Sequence, residues 1–339
     1  MKDKLSLFLI LCLFCGCSQP NHLKEGKYRE TRFLLGTSVD IDVCRDPYPQ
    51  EKIISAFEEV WSRLEEISRR MNAYDEKSDV ARINHSSGEP VETPNDIFQL
   101  IKKSQDYSHL TDGAFDITVG PLIELWREST EKNIFPSSEE IAEVRKKIGF
   151  EKIQLLSENF IQKTHPSTRI DLGGIAKGYG VDEAARILRK HGIRHFYINA
   201  GGDIYVGGRN CEKKSWRIGV RDPQKKADLI GIVNVSDQAV TTSGDYEQFF
   251  EIKGKRWSHI IDPRSGSPQK GIISATVIAP TATAADALST ALCVLDPQKG
   301  IRLIDGLGES YAAYLVVSQN PDKLESYASR NFKQFQSQE

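Results

Sequence analysis

The sequence predicts an α+β fold, with largely antiparallel sheets and helices packed on them. Three observations carry that expectation. The second half of the chain is a succession of short strand-like segments separated by glycine turns, many of them spaced as hairpins. The first half holds long segments of helical periodicity. Two further helical patterns follow the strand run, so helices and strands are grouped rather than alternating as in a doubly wound sheet.

The elements follow in order. Lys2 and Lys4 precede an apolar run over residues 5–15, then Gly16-Cys17-Ser18. A basic start, a short apolar run and a small residue before a cut site make an export signal, and the run is too short to span a bilayer as a mature helix. Gly16-Cys17 has the form of the end of a bacterial lipobox, although Phe14 stands where Leu is usual. We therefore expect residues 1–17 to be a lipoprotein signal with Cys17 lipidated; the plainer alternative is a cleaved signal with incidental cysteines. Residues 18–27 are polar and read as a tether, and residues 28–339 as one unit.

"FLLGTSVDIDV" (33–43) alternates like a first strand. In "PQEKIISAFEEVWSRLEEISRR" the residues Ile53, Phe57, Val60, Leu64 and Ile67 form one apolar stripe, a core face rather than a cofactor box. A second helix starts near Thr93 as N-cap with Pro94 at its first position. A third, "SSEEIAEVRKKIGF", has Ser137 and Glu140 at capping-box spacing and Gly149 as a stop. "KIQLLSENFIQKT" reads as a hairpin around Ser157-Glu158-Asn159. Strands follow in "HFYINAGGDIYVGG", "SWRIGVRDP", "LIGIVNVSD", "YEQFFEIKGKRWSHIIDP" and "ISATVIAP". Then come helices in "TAADALSTALCVL" and "QKGIRLIDGL", a strand in "YAAYLVVS" and a short terminal helix. No clean domain boundary appears; "ESTEKNIFPSS" is the most loop-like interior stretch.

Composition bounds the function. The net charge of −2 excludes a general nucleic-acid binder, and recurrent apolar segments exclude long disorder. Beyond the signal only Cys44, Cys211 and Cys293 remain, far apart and odd in number, so no disulfide framework or CxxC metal site is expected, and Cys293 reads as a small buried hydrophobe.

Five stretches can carry chemistry. "DLGGIAKGYG" has neither P-loop nor GxGxxG spacing. Gly173-Gly174 still permits close backbone approach, and a helix start offers free N–H groups to an anion. Lys177 sits where the helix dipole disfavours a cation, a conflict that a bound phosphate would relieve; the alternative is an ordinary strand-turn-helix with an exposed lysine. In "ADALST", Asp286 and Thr290 share a helix face at i and i+4, a donor pair suited to Mg²⁺ or else a first-turn aspartate with a solvated threonine. In "WSHIIDPRSGSP", His259 and Asp262 flank a strand end, and His259 is either a general base or structural. Tyr74 and Phe115 either stack on a flat ring or pack in the core. "NAGGD" reads as a hairpin turn with polar ends.

The ordered succession "MNAYDEKSDVARIN", "GAFDITVGPL", "DLGGIAKGYGVD", "INAGGD", "SGDYEQFF", "HIIDPRSG" and "ADALSTAL" resembles the FAD:protein FMN transferase (ApbE) family over about residues 35–295. The resemblance implies a compact catalytic unit related to the T-fold. It also implies an Mg²⁺-dependent enzyme with FAD as substrate, which attaches the FMN half to a threonine of a target protein and releases AMP. By motif, Tyr74, Ala114, Phe115, Asp116, Asp171, Lys177 and Ile260 are expected to contact FAD. The carbonyl of Gly174, with Asp286 and Thr290, is expected to hold the metal. Leu35 stands where the family often has Met, and Leu keeps an apolar flavin contact. The proposed base is His259, oriented by Asp262 or another group. The implied acceptors are exported flavoprotein subunits of membrane redox complexes. The implied location is the bacterial cell envelope, facing the periplasm or the outside and lipid-anchored at Cys17, with no nucleic-acid partner. Two alternatives remain: an Mg²⁺-dependent FAD pyrophosphatase, and a non-catalytic lipid-anchored flavin-binding protein.

Overall fold

The computed structural model describes residues 26–223, 228–244, 249–320 and 323–337. The signal, Cys17, nearly all of the tether and positions 245–248 of "SGDYEQFF" lie outside them. Among the described residues no helix is long and apolar enough to cross a membrane.

The chain begins with β1 (Lys27–Leu34) and β2 (Thr37–Cys44). One strand was expected over 33–43, but Leu35 and Gly36 take φ of 55° and 74° and fold it into a hairpin. Helix α1 (Gln50–Arg70) buries all five residues of the predicted stripe. Next comes α2 (Asp79–His85), a helix the sequence reading missed, capped by Ser78 Oγ accepting from Ala81 N. After β3 (Val91–Glu92), helix α3 (Asn95–Leu110) begins one residue later than expected, with Pro94 at the N-cap. Thr93 does not cap it: both its N–H and its hydroxyl donate to the Asn159 carbonyl, joining it to the small sheet instead. Helix α4 (Gly120–Lys132) takes up the start of the stretch expected to be loop. Helix α5 (Ser138–Arg145) has the Ser137/Glu140 capping box in both directions, and its last turn ends before Gly149.

The small hairpin β4 (Ile153–Leu155) and β5 (Phe160–Lys163) forms around 157–159 as expected. Then follow α6 (Ala176–Lys190), β6 (Phe196–Ala200), β7 (Asp203–Gly207), β8 (Trp216–Arg221), β9 (Leu229–Val235), β10 (Gln238–Gly244), β11 (Phe249–Ile252), β12 (Lys255–Ser258) and β13 (Ile272–Ala279). Helices α7 (Ala282–Leu292) and α8 (Pro297–Gly306), strands β14 (Ala312–Asn320) and β15 (Lys323–Ala328), and helix α9 (Phe332–Phe335) complete the chain.

Eight strands make one sheet in the order β1-β2-β6-β7-β10-β13-β14-β15, every pairing antiparallel. The α+β expectation holds for a physical reason: strands joined by tight turns must pair antiparallel. Side-chain alternation then gives the sheet two apolar faces. On β10, Ala239 joins the large core under α1, α6 and α7, while Val240 joins a second cluster with Trp216 of β8 and Val233 of β9. A third cluster lies between α4, α5 and the β11–β12 hairpin.

Cys44 and Cys211 are joined in a disulfide, which corrects the expectation of none. The bond ties the end of β2 to the β7–β8 connection across 167 residues, a meeting that only the sheet order creates. Cys293 is buried, as expected, with its thiol 3.7 Å from the Ser243 carbonyl oxygen.

Candidate active site

Helices α6 and α7 cross so closely that a Cβ on Gly178 would lie 2.3 Å from the Ala282 carbonyl oxygen. Glycine at 178 is what permits the crossing. The half-buried Asp182 side chain on α6 locks it, accepting from Ala282 N at 2.8 Å and from Thr283 N at 2.9 Å at the start of α7. These are amides with no intrahelical partner, so one carboxylate caps the neighbouring helix and fixes its rotation.

That rotation brings Asp286 to the start of α6. Asp286 Oδ2 accepts from Gly178 N at 2.9 Å, and Oδ1 lies 3.4 Å from Lys177 Nζ. Asp203, at the start of β7, places Oδ2 2.9 Å from the same ammonium. The dipole conflict at Lys177 is therefore relieved by two protein carboxylates, where the sequence suggested a bound phosphate. Burial first, and the neighbouring Asp203 charge second, push the Asp286 carboxyl well above the usual carboxylate range, while Lys177 and the Gly178 amide oppose the shift. The other Asp203 oxygen, Oδ1, is buried without a hydrogen-bond partner.

The metal expectation can be tested on this geometry. Thr290 lies one turn beyond Asp286 on α7, and a Cβ added to Gly174 would fall 3.2 to 3.3 Å from the Thr290 side chain. Asp286, Thr290 and Gly174 are thus neighbours, all their candidate donors are oxygen, and an orphaned carboxylate oxygen lies across the same ammonium. That set fits a hard divalent cation. Among the described residues there is no group of three or more His, Cys, Asp or Glu suited to a metal; a cation held here would draw on the threonine hydroxyl and the backbone carbonyl beside Asp286.

A cleft of about 540 Å³ runs from this cluster to an aromatic end. There the Tyr74 hydroxyl donates to Asp171 Oδ2 at 2.8 Å, and the Arg127 guanidinium sits 4.4 Å above the Tyr74 ring. Asp171 Oδ1 accepts from Gly173 N at 2.7 Å, which fixes the Gly173-Gly174 turn. Tyr74 is 55% exposed, so its ring is a wall of the cleft rather than part of the core. Ala114, Phe115 and Ile260 are buried and line the cleft with apolar surface. Asp116 lines it too, with Oδ1 accepting from both the amide and the hydroxyl of Thr118 at 2.7 Å. Burial pushes its carboxyl up to about 6, against those hydrogen bonds. Leu35, held in its turn at φ 55°, packs over Gly180 and reaches the same cleft.

Twelve residues far apart in sequence come together here: Leu35, Tyr74, Ala114, Phe115, Asp116, Asp171, Gly174, Lys177, His259, Ile260, Asp286 and Thr290 all line one cavity. Asp262 does not. Its carboxylate is taken by Arg264, with Oδ1 2.9 Å from Nε and Oδ2 3.1 Å from Nη2, and it also accepts from Arg264 N. Asp262 therefore braces the Pro263–Gly266 turn rather than orienting His259. Asp203 and Arg127 also line the cleft, and neither stands out in the sequence as a site residue. "NAGGD" held the first as the polar end of a turn, and pairing with Lys177 was the signal lacking. The second rides on α4, which was not expected to be a helix.

The ApbE family pattern matches residues 35–315. The chain is 32% identical to the FAD:protein FMN transferase of Vibrio cholerae, over 99% of each chain. It is 31% identical to that of Escherichia coli strain K12, over 98% of this chain and 97% of the relative. Among solved structures, the ApbE protein of Thermotoga maritima superposes with a TM-score of 0.82 at 35% identity, covering 92% of this chain and all of that one. The flavin transferase ApbE of Vibrio cholerae superposes with a TM-score of 0.80 at 31% identity, covering 91% and 99%. Pattern, sequence and fold agree over nearly the whole described chain, and the protein belongs to the ApbE family.

Proposed function

We propose that the protein is an FAD:protein FMN transferase that moves the FMN half of FAD to a threonine hydroxyl of an exported protein and releases AMP. The single observation that carries the reading is the Lys177–Asp203–Asp286 cluster at one end of a cleft whose other end is aromatic. A dinucleotide needs both ends: flat apolar surface for a ring, and fixed charge and a cation for a pyrophosphate.

In this reading Tyr74, Phe115, Ala114, Ile260 and Leu35 receive the flavin, and Asp116 and Asp171 hold its polar edge and ribityl chain. Lys177, fixed by Asp203, contacts the pyrophosphate. Asp286, Thr290 and the Gly174 carbonyl hold Mg²⁺, which when bound neutralises pyrophosphate charge and makes AMP a better leaving group. The acceptor hydroxyl attacks the FMN phosphorus as the bond to the AMP oxygen breaks. A new phosphoester forms, and the hydroxyl proton passes to His259, half-buried at the end of β12 in the cleft wall. Gly16-Cys17-Ser18 supports export and anchoring through a lipid at Cys17, with residues 28–339 as the catalytic unit. The Cys44–Cys211 disulfide supports an oxidising compartment outside the cytoplasm.

The test is direct. Purified protein, FAD, Mg²⁺ and an acceptor fragment bearing a threonine should give covalent flavin fluorescence on the fragment and one AMP per label. AMP release without label would make the chain a pyrophosphatase, and FAD binding without AMP would make it a carrier. His259→Ala should slow labelling without weakening FAD binding; an unchanged rate removes His259 as the base.

A further inference from the structure

We propose that the end of the large sheet remote from the cleft is a membrane-facing surface, whose basic residues lie on anionic phospholipid headgroups and hold the cleft away from the bilayer. The inference rests on the lipid anchor at Cys17 read above, and not on the chemistry of the cleft.

The place where the chain enters the fold sets the geometry. The carbonyl of Gly26, the first described residue, accepts from Arg45 N at 2.9 Å, just past the end of β2. Cys44 N donates to the His195 carbonyl at 3.1 Å just before β6, and Phe196 pairs with Gly207 at the end of β7. The Cys44–Cys211 disulfide and the 3.1 Å contact of Arg209 N with His195 Nδ1 bring the β7–β8 connection to the same end. The cleft opens at the other end of these strands, where Leu35 and Gly36 precede β2 and Gly201 and Asp203 form the β6–β7 turn. The length of β2 parts the two ends, about 23 Å of strand. Cys17 precedes Gly26 by nine residues, a reach of at most about 30 Å. A lipid on Cys17 therefore keeps the entry end near the bilayer. The tether by itself leaves the orientation free, and the charge around the entry point decides it.

Five cations crowd that end. Arg45 follows β2, Arg194 precedes β6, and Arg209 and Lys213 lie in the β7–β8 connection, all exposed. Lys52, also exposed, places Nζ 3.1 Å from where a Cβ on Gly192 would stand, in the turn before Arg194. Among the described residues none of the five is in an ion pair, while acids nearby are engaged elsewhere: Glu212 by Lys214 at 3.0 Å, Asp42 by Arg29 and Lys27, and Asp237 by Arg189 at 3.0 Å. Asp46 and Glu51 are exposed at the same end and are outnumbered by the cations. The Tyr48 hydroxyl accepts from Arg194 N at 2.8 Å, so the segment carrying Arg45 is held against the start of β6. The five charges are spread over three connections and the start of α1 instead of converging on one point, which suits a surface better than a single small anion. Like charges gathered in this way repel one another. An anionic bilayer relieves that repulsion, and a basic cluster beside a lipid anchor adds the second attachment that fixes orientation.

The experiment uses full-length protein purified with its lipid and reconstituted into vesicles of phosphatidylcholine, alone or mixed with phosphatidylglycerol. Acetylation by a soluble amine reagent is followed at each lysine by mass spectrometry. Lys52 and Lys213 should react about fivefold more slowly on the anionic vesicles than on the neutral ones, a protection that salt removes. Lys77, exposed near the Tyr74 end of the cleft, should react equally on both. Arg45→Glu/Arg194→Glu/Arg209→Glu should remove the protection of Lys213 with AMP release from FAD unchanged, and the matching Lys substitutions should keep it. Equal reactivity of Lys52 and Lys213 on the two vesicles overturns the surface. So does protection of Lys77 alongside them, or protection that survives in the Glu variant. If the N-terminal peptide carries no lipid on Cys17, the anchor reading fails and the orientation fails with it.

Discussion

Lys177 and Asp203 form a 2.9 Å ion pair between the first turn of α6 and the start of β7, with Asp286 of α7 3.4 Å from the same ammonium. Three elements remote in sequence thus converge on one charge. Asp203 is 2% exposed and uses only one oxygen on the lysine, leaving the other buried and unpartnered. A buried carboxylate oxygen without a partner is costly, and such costs concentrate where a site is organised for a ligand.

Asp203→Asn should therefore lower the rate of AMP release from FAD by about a hundredfold, because a misplaced Lys177 no longer meets the pyrophosphate. The fold should survive, since the amide keeps the shape. The decisive comparison is AMP release beside circular dichroism and thermal melting; a rate within twofold of wild type would make the pair purely structural.

Metal dependence should follow Asp286 and Thr290. With Mg²⁺ titrated against AMP release, wild type should lose activity in chelator. Asp286→Asn should need at least about tenfold more Mg²⁺, and Thr290→Val should need more as well, since outer and inner metal contacts carry effects of that size. Asn at 286 still offers an oxygen to Gly178 N, so the crossing of α6 and α7 stays intact. An unshifted Mg²⁺ titration in both variants would place the cation elsewhere.

Arg127→Ala should weaken FAD binding by about 5- to 30-fold, the size of a partly desolvated cation–π contact. Its guanidinium stands over the Tyr74 ring at 4.4 Å and fixes that ring in the cleft wall. Flavin fluorescence titration measures it. Equal affinity would mean that Tyr74 is held by Asp171 alone.

Lys163 provides a pH signature away from the cleft. Its buried ammonium donates to the carbonyls of Asn84, Pro166 and Thr168, and burial lowers its pKa to about 8. The unfolded lysine titrates near about 10.4. Between those values the unfolded chain binds more protons, so this group makes stability rise with pH from about 8 to about 10. Lys163→Met should remove that part of the slope. Melting temperatures of both proteins across the window decide it; parallel curves would mean that the folded ammonium is not perturbed.

Reduction of Cys44–Cys211, or Cys44→Ser, should lower stability by about 2–4 kcal/mol, because the bond closes a long loop in the unfolded chain. Cys293→Ser should respond to reductant as wild type does. Melting with and without reductant checks both, and a melting temperature insensitive to reductant in wild type would mean the bridge adds nothing.

Much of the fold was legible because its signals are local. The Ile53–Phe57–Val60–Leu64–Ile67 stripe and the Ser137/Glu140 box each need only near neighbours in sequence. Misses came where a local signal was overruled or weak. Strand β10 reads "QAVTTSG", too polar at its end to stand out, yet it is central because β7 and β13 pair with it on both sides. Thr93 had the right chemistry for a cap, but the neighbouring ladder to Asn159 took its groups.

The sequence by itself determined most element types, the antiparallel class, the family resemblance and twelve of the residues that line the cleft, since those reside in periodicity and in ordered motifs. Tertiary structure alone decided which charges meet. Gly178 reads as one more glycine until Ala282 is packed against it, and Asp203 reads as a turn residue until Lys177 points at it. Asp262 reads as a partner for His259 until Arg264 claims both its oxygens. Electrostatic partnership falls off over a few ångströms and has no sequence period, so it becomes visible only after the sheet order and the α6–α7 crossing have set the distances.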